Sequence, residues 1–495
     1  MRIAFVAAEC EPFAKTGGLG DVVDALARAL GRLGATAGID GLVDVYLPRY
    51  RGIVDCAEGD REVVTVADPT SADGASEVGL VSFEADGYRL RLVEAPAAFD
   101  RDGLYGPPGG GDYEDNGWRF GLLCHAALAG MRADAAAGRP VGLVHVHDWH
   151  SAPIALLRDA APGEDPIADV AVVHTLHNLA YHGWVPRSRL GGLALGPAER
   201  FVPPAADGLD LLRAGVEHAD LVTTVSPTYA VEALTSAFGF GLEGALAAKG
   251  DRFIGILNGL DTTLWDPATD ASLAATYSRT DRSGKAACRR DLLTRIGFDP
   301  DDDGPVLGAI GRLDPQKGFD VLAEAAGDLL DAGGRIAVQG AGDHAIAEPF
   351  RVLAAARPDR VWLNEAFDRA MARRIYAGAD LFVMPSRFEP SGQGQMIALR
   401  YGTPPVAHAT GGLVDSIVDE ATAPGAGTGF LFEAATPAGL VAACAAAAAL
   451  RGDGHGAGWE ALLDRGMAVD FSWDRSAAPA YAAAYRRAAA IRAGR

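Results

Sequence analysis

Four short stretches of this sequence carry side chains that could handle a phosphate ester. Lys15, Gly17, Gly18 and Gly20 stand in KTGGLGDVV, between the apolar run RIAFVAA and the helical pattern DVVDALARALGRL, whose first turn holds Asp21 and Asp24. A glycine loop opening onto a helix start offers bare backbone N–H groups to an anion, and Lys15 adds a full positive charge. The Lys precedes the glycines, so this is no P-loop, and the spacing is not G-x-G-x-x-G. A related design recurs at Gly311, Arg312, Lys317 and Gly318, in VLGAIGRLDPQKGFDVL. SRFEPSGQGQ then sets Glu389 at the edge of a strand pattern, with Ser391, Gly392, Gln393 and Gly394 where a helix begins; Gly411 and Gly412 make a second such turn in ATGGLVDSI. Two glycine-rich helix starts with an Arg–Lys pair could stabilise a departing diphosphate by fixed charge, without a metal.

The histidines offer a different chemistry. LVHVHDWHSAP and HTLHNLAYHGW each read as a strand running into a polar cluster. His145 and His147 share one strand face, while Asp148, Trp149 and His150 fall at the carboxyl edge, where open α/β sheets bind ligands. An H-x-H pair at a strand end also begins the metal site of some hydrolases. No H-E-x-x-H accompanies it and the other ligands are not evident, so a strand histidine satisfied by polar neighbours is the better reading of His145. DPDDD at 299–303 precedes a strand instead of following one, and reads as a solvated connection.

The elements that must position these residues alternate. Strand patterns at RIAFVAA, DVYLPRY, LVHVH, VAVV, ADLVTTV and FIGIL are separated by helical or loop lengths in the first half; VLGAI, RIAVQG, VWLN, DLFVMP and PPVAH follow in the second. Such alternation predicts a parallel sheet flanked by helices. The fold class is therefore α/β, two doubly wound Rossmann-like halves, expected to face across a cleft and grip a diphosphate-linked ligand. Residues 55–100 read as antiparallel strands at a sheet margin, 104–120 as a loop, and RFGLLCHAALAGM as a buried helix. Ser226 is the expected N-cap of a helix with Pro227 at its first position. The expected divisions are 1–258, 259–470 and a final helix, 471–495.

Composition excludes several classes. A chain of 495 residues with 49% hydrophobic content supports more than one sizeable core. The formal charge of −21 argues against nucleic acid and against an anionic membrane surface, both of which need a basic face. Five scattered cysteines (Cys10, Cys56, Cys124, Cys288, Cys444) without C-x-x-C favour free thiols in a reducing compartment. The N-terminal apolar run is short and reads as a strand, and the Ala-rich stretch near 440–450 falls short of a membrane span. A soluble, cytoplasmic protein is the expectation.

KTGGLGDVV, HVHDWH, HNLAYHG, VSPTYA with FGFGLEG, ILNGLDTTLWDP, GRLDPQKGFD, SRFEP and TGGL occur in this order between residues 3 and 420. In these the chain resembles the bacterial glycogen synthases and plant starch synthases, retaining glucosyltransferases of the GT-B fold. The resemblance implies glucosyl transfer from ADP-glucose to the non-reducing end of an α-1,4-glucan such as glycogen, with no cofactor and no metal. It implies that Arg312 and Lys317 bind the donor's diphosphate and that Lys15 with Gly18 approaches the same groups, in the loop that also holds Gly17 and Asp21. Glu389 would lie against the glucosyl ring. The His177 backbone and the Asp148 side chain would border sugar and acceptor; Asn258 would join from a strand end, and Thr410, Gly411 and Gly412 would cradle phosphate. Phe367 stands where the family often has a Tyr stacked on the nucleobase, a core position being the competing reading. The last helix would cross back onto the N-terminal domain, a simple surface helix being the alternative.

The chain departs from the family pattern in three places. EPSGQGQ replaces the usual EPCGLTQ, which keeps backbone donors through Gln393 and Gly394. His408–Ala409 replaces a basic pair, removing positive charge near the phosphate, and GATAGIDGLVDV is an unusual approach to LPRY. Ile397 stands where an E-x7-E pattern would place a second Glu, which favours front-face return over double displacement. A UDP-glucose or smaller-acceptor transferase, a glucan-binding protein with impaired catalysis and a metal hydrolase are the alternative readings.

Overall fold

A computed structural model describes residues 1–40, 43–53, 59–452 and 456–494. Cys56 and part of the GATAGIDGLVDV stretch lie outside the described residues. Backbone contacts divide the chain into two units: one of residues 1–225, 230–259 and 473–495, the other of 226–229 and 260–472.

The first unit is built on a nine-stranded sheet. Its parallel part contains β1 (Ile3–Val6), β2 (Val43–Pro48), β6 (Leu143–His147), β7 (Ala171–Leu176) and β10 (Leu221–Thr224), all buried throughout, and the half-buried edge strand β11 (Phe253–Gly255). These strands are continuous apolar runs because helices cover both faces of a parallel sheet. The margin carries β3 (Asp60–Ala67), β4 (Ala75–Glu84) and β5 (Tyr88–Glu94); β3–β4 and β4–β5 pair antiparallel, while β5 joins β2 in parallel. A separate two-stranded hairpin pairs β8 (Trp184–Pro186) with β9 (Gly208–Asp210). Burial alternates along the outer strand β3, as one solvated face requires.

The helix Ala477–Ala493 belongs to this unit and is not a simple surface helix. Tyr481 and Tyr485, one turn apart, are buried, and the Tyr485 hydroxyl lies 2.8 Å from His145 Nδ1.

The second unit holds a six-stranded parallel sheet, order β14-β13-β12-β15-β16-β17: β12 (Val306–Ile310), β13 (Arg335–Gln339), β14 (Val361–Asn364), β15 (Leu381–Met384), β16 (Pro405–His408) and β17 (Phe430–Phe432). The chain runs outward from β12 to β14 and then crosses back to β15 beside β12, which places helices on both faces. Residues alternate accordingly: Leu307, Ile336 and Val338 pack on one side with Phe319, Leu322 and Leu440, while Val306 and Ala337 pack on the other with Leu292, Leu293 and Ile375. Both units are Rossmann-like.

Candidate active site

In the first unit the Lys15 loop is not bare. The helix starts at Gly18, three residues earlier than its apolar pattern suggested, so Gly18 and Gly20 lie inside it, with Gly17 as N-cap. The backbone N–H groups of Thr16 and Gly17 donate to Glu9 Oε2 at 2.7 and 3.0 Å, so an internal carboxylate already occupies part of the loop. Lys15 Nζ pairs with Asp21 and lies 3.7 Å from Glu11. Burial pushes the Asp21 carboxyl up, against the lowering effect of Lys15.

Asp148 begins a single helical turn directly after β6, with φ +52°. A non-glycine residue in that region is uncommon. The His177 N–H donates to Asp148 Oδ1 at 2.7 Å, joining the two predicted residues, and His174 Nε2 lies 3.1 Å from the Asp148 carbonyl oxygen. Burial raises the Asp148 carboxyl to about 7, despite these backbone donors. His145 is held by Tyr485 on one nitrogen and by Thr175 on the other, at 2.8 and 2.5 Å, as a satisfied strand histidine. His147 Nδ1 lies 3.0 Å from His177 Nε2, while His147 Nε2 is buried without a partner. Among the described residues, no group of three or more His, Cys, Asp or Glu side chains is arranged to hold a metal. Asn258, just beyond β11, is buried with its Oδ1 unpartnered. A buried acceptor without a donor is costly and marks a place where a ligand can supply one.

Because the folded state holds a proton on Asp148 up to about pH 7 and the unfolded chain releases it near the ordinary aspartate value of 3.8, this residue's contribution to stability falls as pH rises through that window. Asp148→Asn is therefore expected to stabilise the protein at pH 8, with an upper limit of about 4 kcal/mol, and to change little at pH 4. Denaturant unfolding at the two pH values checks this; equal effects at both would exclude burial of the charge as the cause.

In the second unit the predicted residues converge around Glu389, which is 5% exposed. Lys317 closes a short 3₁₀ turn, Pro315–Lys317, capped by Asp314, whose carboxylate accepts from the Lys317 N–H at 3.0 Å. Gly318 follows at φ +66°, and a Cβ there would stand 2.1 Å from the Pro385 carbonyl oxygen, so only glycine fits. Lys317 Nζ reaches Glu389 Oε2 at 2.5 Å, and Ser386 Oγ donates to the same oxygen at 3.1 Å. The Glu389 carbonyl accepts from the Gly412 N–H at 3.0 Å, and a Cβ on Gly412 would lie 2.1 Å from the Ser391 carbonyl oxygen. This close approach locks the Glu389–Gly392 turn to the Thr410–Gly412 turn. Gln395 Nε2 donates to the carbonyls of Ser391 and Gly392 and to Ser416 Oγ, bracing the EPSGQGQ loop, while Ser391 Oγ is buried without a partner. Gln393 caps the following helix, Gly394–Arg400.

Two predicted residues stand apart. Arg312 is largely exposed and lies 3.3 Å from Asp314, not from the Lys317–Glu389 pair. Phe367 is 74% exposed in the loop between β14 and the helix Arg369–Gly378, which overturns the core reading. His408 does more than replace a charge; its Nδ1 lies 2.7 Å from the Ser386 carbonyl oxygen, behind the hydroxyl that contacts Glu389. The sequence reading missed Glu9, Ser386 and Gln395. A polar residue in the first turns after a strand end was the available signal for Glu9 and Ser386.

The arrangement pairs a cation and helix starts, suited to a leaving anion, with a buried carboxylate, suited to a cationic sugar. The family described as starch synthase catalytic domain matches residues 2–248, and glycosyl transferases group 1 matches 304–449. A glycogen synthase of Halorhodospira halophila is 41% identical over 500 residues, covering 99% of this chain and all of the relative. One from Anaeromyxobacter sp. is 42% identical with the same coverage. The solved catalytic domain of starch synthase IV from Arabidopsis thaliana, bound to ADP and acarbose, superposes with a TM-score of 0.86 at 31% identity over 99% of both chains. Sucrose-phosphate synthase from Thermosynechococcus elongatus, at TM-score 0.58 and 20% identity over 98% of both chains, shares the fold. With two Rossmann-like units, this set of glycine-rich turns and full-length relatives above 40% identity, the chain belongs to the family of glycogen and starch synthases, glycosyltransferases of the GT-B fold.

Proposed function

We propose that this protein transfers glucose from ADP-glucose to the non-reducing end of an α-1,4-glucan, with retention of configuration. The observation that carries the reading is the Lys317–Glu389 pair, its buried carboxylate held by Gly412 between two glycine-rich helix starts. Arg312 and Lys317 take the donor's diphosphate, to which Lys15 and Gly18 are also assigned; Thr410, Gly411, Gly412, Ser391, Gly392 and Gln393 supply the cradle. As the bond from the sugar's anomeric carbon to phosphate breaks, its electron pair leaves on the phosphate oxygen, where cations and N–H groups stabilise it. Glu389 stabilises the positive ring. The acceptor hydroxyl attacks from the face the phosphate leaves and passes its proton to the departing phosphate oxygen. Ile397, buried where a second carboxylate would stand, favours this route over a covalent intermediate. Asp148, the His177 backbone and Asn258 border the sugar and acceptor, Asp21 orients Lys15, and Phe367 offers an exposed ring to the nucleobase.

Incubation with glycogen and either ADP-glucose or UDP-glucose, with and without a chelator, tests the assignment. ADP release with glucan growth, unaffected by the chelator, is the expected outcome. Preference for UDP-glucose would correct the donor. Glycogen binding without turnover would make the protein a binding module, and a chelator-sensitive hydrolysis would replace the reading altogether.

A further inference from the structure

We infer that Glu9 is a positioning residue whose carboxylate clamps the Lys15 loop to the 104–112 segment, an inference that rests on the donor-binding role proposed for Lys15. Glu9 lies three residues beyond β1 and is buried. Both of its oxygens are engaged. Oε2 accepts from the backbone N–H groups of Thr16 and Gly17, and Oε1 accepts from Thr16 Oγ1 at 2.7 Å and from the Tyr105 hydroxyl at 2.5 Å. None of these four donors is a cation, so the carboxylate organises backbone and hydroxyls instead of neutralising a charge. Four hydrogen bonds to one side chain fix the conformation of the two residues that follow Lys15.

The second arm of the clamp leads to Asp148. The Tyr105 ring stacks on His150 (4.8 Å, 30°), and His150 stacks on Trp149 (3.9 Å, 29°) in the turn that Asp148 begins. The Tyr105 carbonyl accepts from Asn116 Nδ2 at 2.9 Å and from the Tyr113 N–H at 2.8 Å, which seats the loop on the helix Asn116–Ala136. Glu9 thus sets the Lys15 loop relative to the carboxylate at the end of β6. It also leaves the Thr16 and Gly17 N–H groups unavailable to an anion, so the loop's contact with phosphate falls to Lys15 Nζ and the helix start at Gly18.

The hydrogen-bond chemistry gives a sharp test. A glutamine at this position keeps an oxygen for the two backbone donors, and its amide N–H groups can donate to Thr16 Oγ1 and the Tyr105 hydroxyl, each able to rotate and accept. Alanine does neither. Glu9→Ala is expected to raise the KM for the nucleotide sugar about tenfold or more with a smaller change in kcat, as loss of ground-state binding does. Amide exchange at Thr16 and Gly17 should quicken in parallel, and Glu9→Gln should restore most of both. If the glutamine variant is as impaired as the alanine variant, the charge itself acts and the inference falls; it falls equally if Glu9→Ala keeps wild-type KM and slow exchange. Tyr105→Phe deletes one hydroxyl from a ring that stays stacked, and covers the case in which Glu9→Ala does not fold; unchanged KM and exchange in that variant would overturn the clamp. A wild-type protein inactive on every nucleotide sugar would sink the proposed function, while the exchange comparison would still decide what Glu9 holds.

Discussion

Lys317→Ala and Glu389→Ala are each expected to lower turnover at least about 100-fold, the loss typical of removing a group that stabilises transition-state charge. The two differ in their effect on stability. Glu389 is buried and takes its charge-assisted bond from Lys317 Nζ at 2.5 Å. Removing the lysine leaves the carboxylate with the Ser386 hydroxyl alone, and an uncompensated buried charge costs about 3 kcal/mol or more. Removing the glutamate strands only a lysine whose side chain is partly solvated and can turn to water. Lys317→Ala should therefore lower the unfolding midpoint more than Glu389→Ala, and Lys317→Ala combined with Glu389→Gln should recover stability without recovering rate. Thermal unfolding beside ADP release measures both; single variants with rates within a few-fold of wild type would remove the pair from the reaction.

A steep loss of stability below about pH 6 is the second large effect. His145, His147, His150 and His174 are buried in the first unit, and burial holds the first two well below the usual histidine value, His150 at about 3 and His174 at about 4. The folded state keeps them neutral while the unfolded chain protonates them near 6.5, so stability present above that pH is lost as pH falls toward the folded values. Each contributes about 1.4 kcal/mol per pH unit, so four cost on the order of 5 kcal/mol by about pH 5.5, comparable to the whole stability of many domains. Asp148 works in the opposite direction and blunts the slope by about one histidine's worth. Denaturant titrations from pH 7.5 to 5 should show this dependence. A flat profile would mean that these histidines are accessible to protons in the native state.

Much of this was legible in the sequence, because the informative signals were local. Strand-to-turn-to-helix passages at Lys15, Lys317, Glu389 and Gly411 can be read from glycine placement and hydrophobic period, and the antiparallel margin over β3 to β5 shows as alternation. Other features depend on contacts distant in the chain. The carboxylate that holds the Lys15 loop also meets Tyr105, far along the chain, and no spacing rule connects Glu9 to that tyrosine. The positive φ of Asp148 and its bond from the His177 N–H bring together residues 29 apart, which no local pattern announces. For Phe367 the sequence left a stacking ring and a core position both open, because exposure depends on how the loop after β14 turns. β17, only three residues long, is too short to show a period of its own.

The tyrosine that holds His145 is placed near residue 485, while the strand it braces is complete by residue 147. Domains generally fold as units, with the N-terminal one first as the ribosome delivers the chain. Here the first unit cannot close until the second has been synthesised, because residues 473–495 belong to it. A nascent chain stalled at residue 470 would present an unfinished sheet flank to chaperones, and maturation of the first unit must wait on translation of the whole second unit.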